Sequence, residues 1–163
     1  MPFDCNDHDL NDFILNNSKD YLKQLLSVTY LIQDEEITIA FFSLSNDKIS
    51  ADDFRSKRWY NLNIREKMPE GKRYNKYPAV KIGRFGVHKE YQKSGLGTKL
   101  LDYIKFMFIT NNRTGCQYIT VDAYKDSLGF YLKNGFEYFS DSDKDEDTRQ
   151  MYYKLVHLVN LDN

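Results

Sequence analysis

A glycine-bearing turn, Gly95-Leu96-Gly97, is the clearest place in this 163-residue chain where residue type and spacing could do chemistry. It follows an apolar run over residues 79–87, which predicts a buried strand, and it opens a segment with apolar residues at helical spacing. The first N–H groups of a helix have no intrahelical partner, and the helix dipole adds partial positive charge there. The turn therefore predicts a site for an anion such as phosphate or pyrophosphate. Lys93 and Thr98 can add side-chain donors.

The turn lacks the features of two common phosphate-binding motifs. No Gly-Lys-Ser/Thr follows at the spacing of a P-loop, and Leu100 stands where a dinucleotide-binding fingerprint has its third glycine. The sequence therefore points to another class of nucleotide-binding protein.

Hydrophobic periodicity predicts the elements that would position this turn. Asp9 could cap an N-terminal helical region, which Asn16-Asn17-Ser18 would divide into two pieces. Residues 27–33 and 36–44 predict a β-hairpin, and the helix after the glycine turn would end near Asn111-Asn112. The later elements are a strand over 117–122, a short helix over 127–133, a strand over 136–139, an acidic solvated turn over 140–147 and a strand over 149–156. This order predicts one α/β domain over residues 1–163, with a mixed, mostly antiparallel sheet and helices on both faces.

Two segments resemble signatures of the GCN5-related N-acetyltransferases (GNAT). Gln92-Lys93-Ser94-Gly95-Leu96-Gly97 is similar to the Q/R-x-x-G-x-G/A loop of that superfamily. Ala123, followed by the run from Phe130-Tyr131 to Gly135-Phe136, is similar to its A-x(6)-F-Y-x-x-x-G-F pattern. The two segments stand in the family order, separated by one strand. The resemblance covers residues 27–156 and implies the GNAT fold.

The resemblance also implies a reaction: direct transfer of an acetyl group from acetyl-CoA, as co-substrate and without a metal, to a primary amine in a ternary complex. The glycine loop would hold the pyrophosphate, and the end of the preceding strand would pair with the pantetheine arm and face the thioester. Tyr131 would protonate the leaving thiolate, since a phenol is mostly protonated at neutral pH. The predicted coenzyme site comprises Phe85, Gly86, Val87, Gln92, Lys93, Ser94, Gly95, Leu96, Gly97 and Thr98.

A finer likeness concerns the acceptor. Phe3-Asp4-Cys5, Leu10-Asn11-Asp12-Phe13 and Gly83-Arg84-Phe85-Gly86-Val87 are similar to a branch of the superfamily that includes toxins acetylating aminoacyl-tRNA. The resemblance leaves three functions open. The acceptor is an amine on a small molecule or protein, or it is a charged tRNA acetylated by a toxin with an antitoxin partner. In the third case the chain is a CoA-binding regulatory module without catalysis.

Residues 46–78 form a locally basic, aromatic-bearing insertion in an otherwise near-neutral chain. One interpretation is a solvated helix and loop whose rings pack on the sheet edge. The other is a surface facing RNA or substrate, with cations for phosphates and rings for stacking. The residues concerned are Arg55, Lys57, Arg58, Trp59, Tyr60, Arg65, Lys67, Lys72, Arg73, Tyr74, Lys76 and Tyr77.

Other sequence features restrict the chemistry and the compartment. Glu35, Glu36, Glu90 and Asp122 are candidate general bases, but no spacing selects one, and the three histidines are expected at the surface or in loops. Cys5 and Cys116 have no metal-site spacing, so we expect a reducing cytoplasm and no covalent acetyl-enzyme. A net charge of -1 and the lack of a long apolar stretch predict no membrane association. The aromatic final strand could pair with a second copy as an exposed edge, which would give a homodimer.

Overall fold

The computed structural model describes residues 3–35, 37–71, 73–110 and 114–159. Within these ranges six strands form one sheet in the order β1-β2-β3-β4-β6-β5. The strands are β1 (Val28–Asp34), β2 (Ile37–Ser50), β3 (Lys76–Val87), β4 (Tyr118–Tyr124), β5 (Glu137–Tyr138) and β6 (Thr148–Lys154). The helices are α1 (His8–Asp12), α2 (Ser18–Lys23), α3 (Lys57–Tyr60), α4 (Leu96–Ile109), α5 (Leu128–Lys133) and α6 (Val156–Val159). No helix in the described ranges is long and apolar enough to span a membrane.

The N-terminal helical region begins two residues earlier than the sequence predicts. Asp7, not Asp9, is the N-cap, since the Asp7 side chain accepts a hydrogen bond from the Leu10 N–H. The predicted division into two pieces is confirmed, because a π-helical turn over Phe13–Asn17 separates α1 from α2. The wider turn brings Phe13 onto Phe41, with ring centroids 6.2 Å apart.

The predicted hairpin is confirmed as β1 and β2, which pair antiparallel from Val28 opposite Leu44 to Asp34 opposite Ile37. Glu35 lies in the turn with φ of 52°. Strand β2 continues beyond the predicted end, to Ser50, and is buried on both faces from Ala40 to Leu44. The strand therefore reaches into the basic insertion.

The final strand is not an exposed edge. Strand β6 pairs antiparallel with β4 over seven positions and with β5 over two, so it lies inside the sheet. The prediction of a homodimer through this edge is wrong in its choice of strand, because the short β5 doubles back onto β6 after α5.

The residues cluster in two compact units. The first contains the described residues up to Asn46 together with Lys81–Met107, and the second contains Asp47–Val80 together with the described residues from Phe108 onward. The first unit has a core cluster of Phe3, Cys5, Phe13 and Phe41. The second has a larger cluster of Ile49, Phe54, Tyr60, Ile64, Tyr77, Ala79, Tyr118, Phe139 and Tyr152.

Candidate active site

The end of β3 is a flat strand surface next to an aromatic ring. Gly86 is buried, and a Cβ at this position would lie 2.7 Å from Cε1 of Phe41 and 3.2 Å from Cζ of Phe3. The space that an alanine methyl would need is therefore filled by the Phe41 ring. Gly86 is thus required by packing, and Phe85 and Val87 on either side of it are half-buried.

Gln92 holds the loop after β3 in place. Its side-chain Nε2 donates to the backbone oxygen of Cys5 at 2.9 Å and to that of Val87 at 3.0 Å. Its amide nitrogen thus ties the loop to the strand end and to the N-terminal segment. We infer that the glutamine of the signature positions the loop, while its neighbours contact the anion.

The glycine turn has the backbone conformation that an anion site needs. Lys93 and Gly95 both have positive φ values, 60° and 84°. The Lys99 N–H donates to the Gly95 oxygen at 3.2 Å, so the N–H groups of Leu96, Gly97 and Thr98 precede the first intrahelical bond of α4. A Cβ on Gly95 would meet nothing within 4 Å, which leaves space for a ligand above the turn. Ser94 already has partners, since its Oγ donates to the Tyr91 oxygen at 2.6 Å and accepts from the Leu96 N–H at 3.4 Å. The turn can therefore receive a pyrophosphate chiefly on the Gly97 and Thr98 N–H groups.

The N-terminal segment contacts the loop between β3 and α4, which the sequence did not predict. The Asp4 carboxylate accepts hydrogen bonds from the Lys89 Nζ at 2.8 Å and from the Asn6 N–H and the Asn11 Nδ2 at 2.9 and 3.0 Å. The Lys89 N–H also donates to the Asp4 backbone oxygen at 2.8 Å. These bonds, chiefly that to Lys89, hold the pKa of the Asp4 carboxyl far below its usual range. The segment thereby fastens the loop between β3 and α4 from outside.

His88 lies in the loop after β3, as expected for a histidine of this chain, but it is buried and not at the surface. It is 1% exposed, while His8 and His157 are exposed as predicted. The His88 backbone N–H donates to the Ile39 oxygen at 2.8 Å, which continues the strand and carries the ring inward. The ring lies edge-on to Phe3, and Nδ1 accepts from the Glu90 N–H at 3.3 Å. His88 is thus a packing residue beneath the loop.

Tyr131 lies in a helix end whose geometry explains the second signature. Gly135 has φ of 83°, its N–H donates to the Leu132 oxygen at 3.0 Å, and the Phe136 N–H donates to the Tyr131 oxygen at 3.1 Å. These two bonds define a Schellman motif, which is completed by an apolar contact between Tyr131 and Phe136 at 5.2 Å between ring centroids. Tyr131 is 5% exposed, and burial raises the pKa of its phenol well above the usual value. The phenol is therefore protonated at neutral pH.

The other titratable candidates stay unselected. Glu35, Glu90 and Asp122 are exposed, and Glu36 lies outside the described residues. Burial raises the pKa of the Cys116 thiol to about 11 and also raises that of Cys5, so neither is a ready thiolate nucleophile. In the described part of the chain, no group of three or more His, Cys, Asp or Glu could hold a metal ion.

Some residues of the basic insertion fit the packing interpretation, and others fit a surface that faces RNA or substrate. Tyr60 and Tyr77 are buried in the core of the second unit, as the packing interpretation predicts. Trp59 and Tyr74 are 41% and 55% exposed, as a recognition surface would require. Arg55, Lys57 and Arg58 are exposed beside Trp59, although Arg55 pairs with Asp141 and Lys57 with Asp52. Lys72 lies outside the described residues.

One family match spans both signatures. Residues 65–138 match the sequence model of the acetyltransferase (GNAT) domain, from the end of the insertion through β3, α4 and α5 to β5. The match covers a little under half of the chain, and it confirms the resemblance and the enzyme class inferred from it. A comparison with curated protein sequences gave no significant match.

Solved structures with the same fold include bacterial toxins. A tyrosine-to-phenylalanine mutant of KacT superposes with a TM-score of 0.78 at 20% identity, over 99% of this chain and 90% of that chain. AtaT in complex with acetyl-methionyl-tRNAfMet has a TM-score of 0.77 at 18% identity, over 99% and 90%. AtaTR bound with acetyl-CoA has a TM-score of 0.73 at 18% identity, over 99% and 89%. These likenesses confirm the predicted fold class.

Proposed function

We propose that this chain transfers the acetyl group of acetyl-CoA directly to the α-amino group of an aminoacyl-tRNA. The observation that carries the coenzyme half is the glycine turn, whose N–H groups from Leu96 to Thr98 precede the first intrahelical bond of α4. A CoA pyrophosphate there would direct its pantetheine arm along Phe85-Gly86-Val87. AtaTR, which shares the fold, was solved with acetyl-CoA bound.

The reaction requires few groups from the protein. The amine nitrogen attacks the thioester carbonyl carbon, and a backbone N–H at the end of β3 would stabilise the oxyanion that forms. Collapse breaks the C–S bond, Tyr131 donates its proton to the leaving thiolate, and the nitrogen releases its proton to solvent. Burial of Tyr131 keeps the phenol protonated until this step.

Among the described residues no carboxylate is singled out as a base, which supports an acceptor amine of low pKa. An α-amino group has a pKa near 8, so a useful fraction is neutral at physiological pH, whereas a lysine amine with pKa near 10.4 needs a base to deprotonate it. The carboxylates of Glu35, Glu90 and Asp122 are exposed, and the structure does not single out one of them to deprotonate a lysine amine. The fold neighbour AtaT was solved with acetyl-methionyl-tRNAfMet, which is the product of this kind of transfer.

This proposal makes the protein a toxin that blocks translation in the cytoplasm, with an antitoxin to restrain it. AtaT was also solved with the C-terminus of the antitoxin AtaR. Expression of the chain alone should arrest growth, and co-expression of a neighbouring small DNA-binding protein should relieve the arrest.

The decisive experiment supplies purified enzyme with radiolabelled acetyl-CoA and a panel of acceptors: charged tRNA, uncharged tRNA, a lysine peptide and small amines. We expect label only on the charged tRNA, released when the ester bond is cleaved by mild base. Label on the peptide or on small amines, with none on charged tRNA, would show that the acceptor is a protein or small-molecule amine and not charged tRNA.

A primary amine on a small molecule or protein is the second candidate, and the net charge of -1 favours it, because a large tRNA surface calls for more cations. The two candidates differ in salt dependence. Acetylation of charged tRNA should weaken steeply between 50 and 200 mM salt, while acetylation of a small amine should change little. Binding of acetyl-CoA without any transfer would indicate the regulatory module instead.

A further inference from the structure

A cavity of about 300 Å³ opens on the second compact unit, and Tyr131 does not line it. One wall comes from the insertion, with Phe54, Arg55 and Trp59. The opposite wall comes from β5 and the start of the acidic loop, with Glu137 and Asp141. We call this cavity the Trp59 pocket.

The apolar wall of the Trp59 pocket is a fixed aromatic surface. Phe54 is 7% exposed and belongs to the core cluster, and Trp59 stacks on it with ring centroids 5.3 Å apart and an interplanar angle of 23°. Trp59 is nevertheless 41% exposed, so the stack leaves much of the indole open. A rigid and open aromatic ring is the feature on which proteins stack the bases of single-stranded nucleic acids.

The polar wall presents hydrogen-bond acceptors. Glu137 accepts from the Tyr152 hydroxyl at 3.0 Å, which fixes one carboxylate oxygen and leaves the other lone pairs for a ligand. Asp141 pairs with Arg55 at 3.4 Å and with Arg149 at 3.6 Å. The side chains of Arg55 and Asp141 are more than two-thirds exposed, so the ion pair between these two can open at little cost. The wall therefore suits a flat ring that carries an exocyclic amino group.

The charges around the mouth favour a nucleotide over a free cation. Arg55 already stands against the Asp141 carboxylate, and Lys57 and Arg58 are exposed on the next residues of the chain. A second cation would be repelled by these three side chains, while the phosphates of a nucleic acid would be attracted to them.

We propose that the Trp59 pocket binds an amino-bearing base, adenine or cytosine, from the single-stranded end of an RNA. Trp59 stacks on the base, Glu137 accepts from its amino group, and Arg55 turns outward to the phosphates. This inference rests on the proposed RNA acceptor and adds the place where one of its bases is held.

Trp59 is the sole tryptophan of the chain, so its fluorescence reports on this pocket alone. We would titrate the CoA-saturated enzyme with single-stranded oligoadenylate, oligocytidylate and oligouridylate. Stacking should quench the emission with oligoadenylate and oligocytidylate at concentrations at least about fivefold lower than with oligouridylate. Glu137→Ala should abolish this preference, whereas Glu146→Ala, a change to an exposed carboxylate in the neighbouring loop, should preserve it.

Activity gives a second readout that does not depend on the fluorescence. Trp59→Leu should raise KM for charged tRNA about tenfold and leave KM for acetyl-CoA unchanged, and Phe106→Leu, at an exposed ring of α4, should change neither. The inference would be overturned if Trp59 emission did not change with any of the three oligonucleotides, or if it changed only with acetyl-CoA. Quenching without acetylation of charged tRNA would refute the proposed function and leave the pocket intact. Acetylation of charged tRNA without any change in Trp59 emission would refute the pocket and leave the proposed function intact.

Discussion

At the scale of single residues, Tyr131 combines an observed packing contact with a proposed role as the acid. Its ring completes the Schellman motif by packing on Phe136, and its hydroxyl is the predicted proton donor. A phenylalanine would keep the first contribution and lose the second. This difference makes the tyrosine testable without damage to the fold.

Tyr131→Phe should lower kcat by about 100-fold, because general acid catalysis typically contributes 10² to 10⁴. The melting temperature and the affinity for acetyl-CoA, measured by calorimetry, should stay at wild-type values. Since burial raises the pKa of Tyr131, the wild-type rate should also show no loss of the acid between pH 8 and 10. Tyr124→Phe, at an exposed tyrosine outside the Schellman motif, is the matched control. Unchanged kcat in Tyr131→Phe would remove the acid role.

Gly86→Ala should destabilise the protein by roughly 1–3 kcal/mol, because its methyl group would overlap Phe41 in a packed core. Gly83→Ala on the same strand is the control, since its nearest neighbour would be the Ser43 oxygen at 3.9 Å. Urea denaturation measures both, and adding Phe41→Leu should recover part of the loss in Gly86→Ala. Equal stability of the two glycine variants would contradict the packing argument.

At the scale of elements, the N-terminal segment and the coenzyme loop act as one assembly. Asp4 joins Lys89 through both its side chain and its backbone, and Gln92 joins Cys5. These bonds hold Lys89 and Gln92, which precede the turn from Lys93 to Gly95 in the chain. The positive φ values of Lys93 and Gly95 require support from neighbouring residues. We therefore propose that Asp4 and Gln92 position the loop for coenzyme binding.

Asp4→Ala should raise KM for acetyl-CoA roughly two- to fivefold, with a smaller change in kcat, because the Asp4–Lys89 ion pair is only partly buried. Asp9→Ala, also N-terminal but with a largely exposed side chain, should have no effect. Exchanging the charges, Asp4→Lys with Lys89→Asp, should recover part of the affinity. If the double variant binds acetyl-CoA no better than Asp4→Ala, the ion pair does not determine the position of the loop.

Local patterns predicted the elements whose residues determine their own conformation. The hairpin, α4, β4 and α5 lie where periodicity and stop signals place them. The position of β6 inside the sheet could not be predicted, because strand order depends on pairing between distant residues. The acidic loop, expected to be merely solvated, is organised by Arg149, which donates to Asp143 at 3.2 Å and covers the Tyr138 ring at 3.8 Å.

In the candidate site, too, the features set by local sequence could be predicted and those set by distant contacts could not. The glycine turn and Tyr131 were identified from short motifs, since a helix start and a Schellman motif are local structures. The roles of Asp4 and His88 depend on contacts with residues more than 40 positions away. No pattern in a single sequence indicates such pairs.

At the scale of the whole molecule, buried tyrosines couple stability to alkaline pH. Burial raises the pKa of Tyr60 to about 12 and raises those of Tyr118, Tyr131 and Tyr152 further. In the unfolded chain these phenols titrate near pH 10, so above that pH the unfolded state binds fewer protons and gains free energy relative to the folded state.

Their stabilising effect is thus complete below pH 10 and is lost as the pH rises towards the folded-state values. At pH 11 the loss is about 1.4 kcal/mol for each tyrosine, which together should lower the melting temperature by about 10–20 °C relative to pH 8. Circular dichroism follows unfolding, and absorbance at 295 nm follows tyrosinate formation. Tyrosinate that forms near pH 10 without a fall in melting temperature would contradict this coupling.

The two compact units raise the question of whether the chain unfolds as one body. Strands β2 and β3 each contribute residues to both units without interruption, so neither unit is a continuous stretch of chain. We therefore propose a single domain, in which Trp59 emission, reporting on the second unit, and far-UV circular dichroism, reporting on both, give coincident urea transitions. Gly86→Ala, placed in the first unit, should shift both transitions equally. A shift of the circular dichroism transition alone, with Trp59 unaffected, would mean that the units unfold independently and that the chain has two domains.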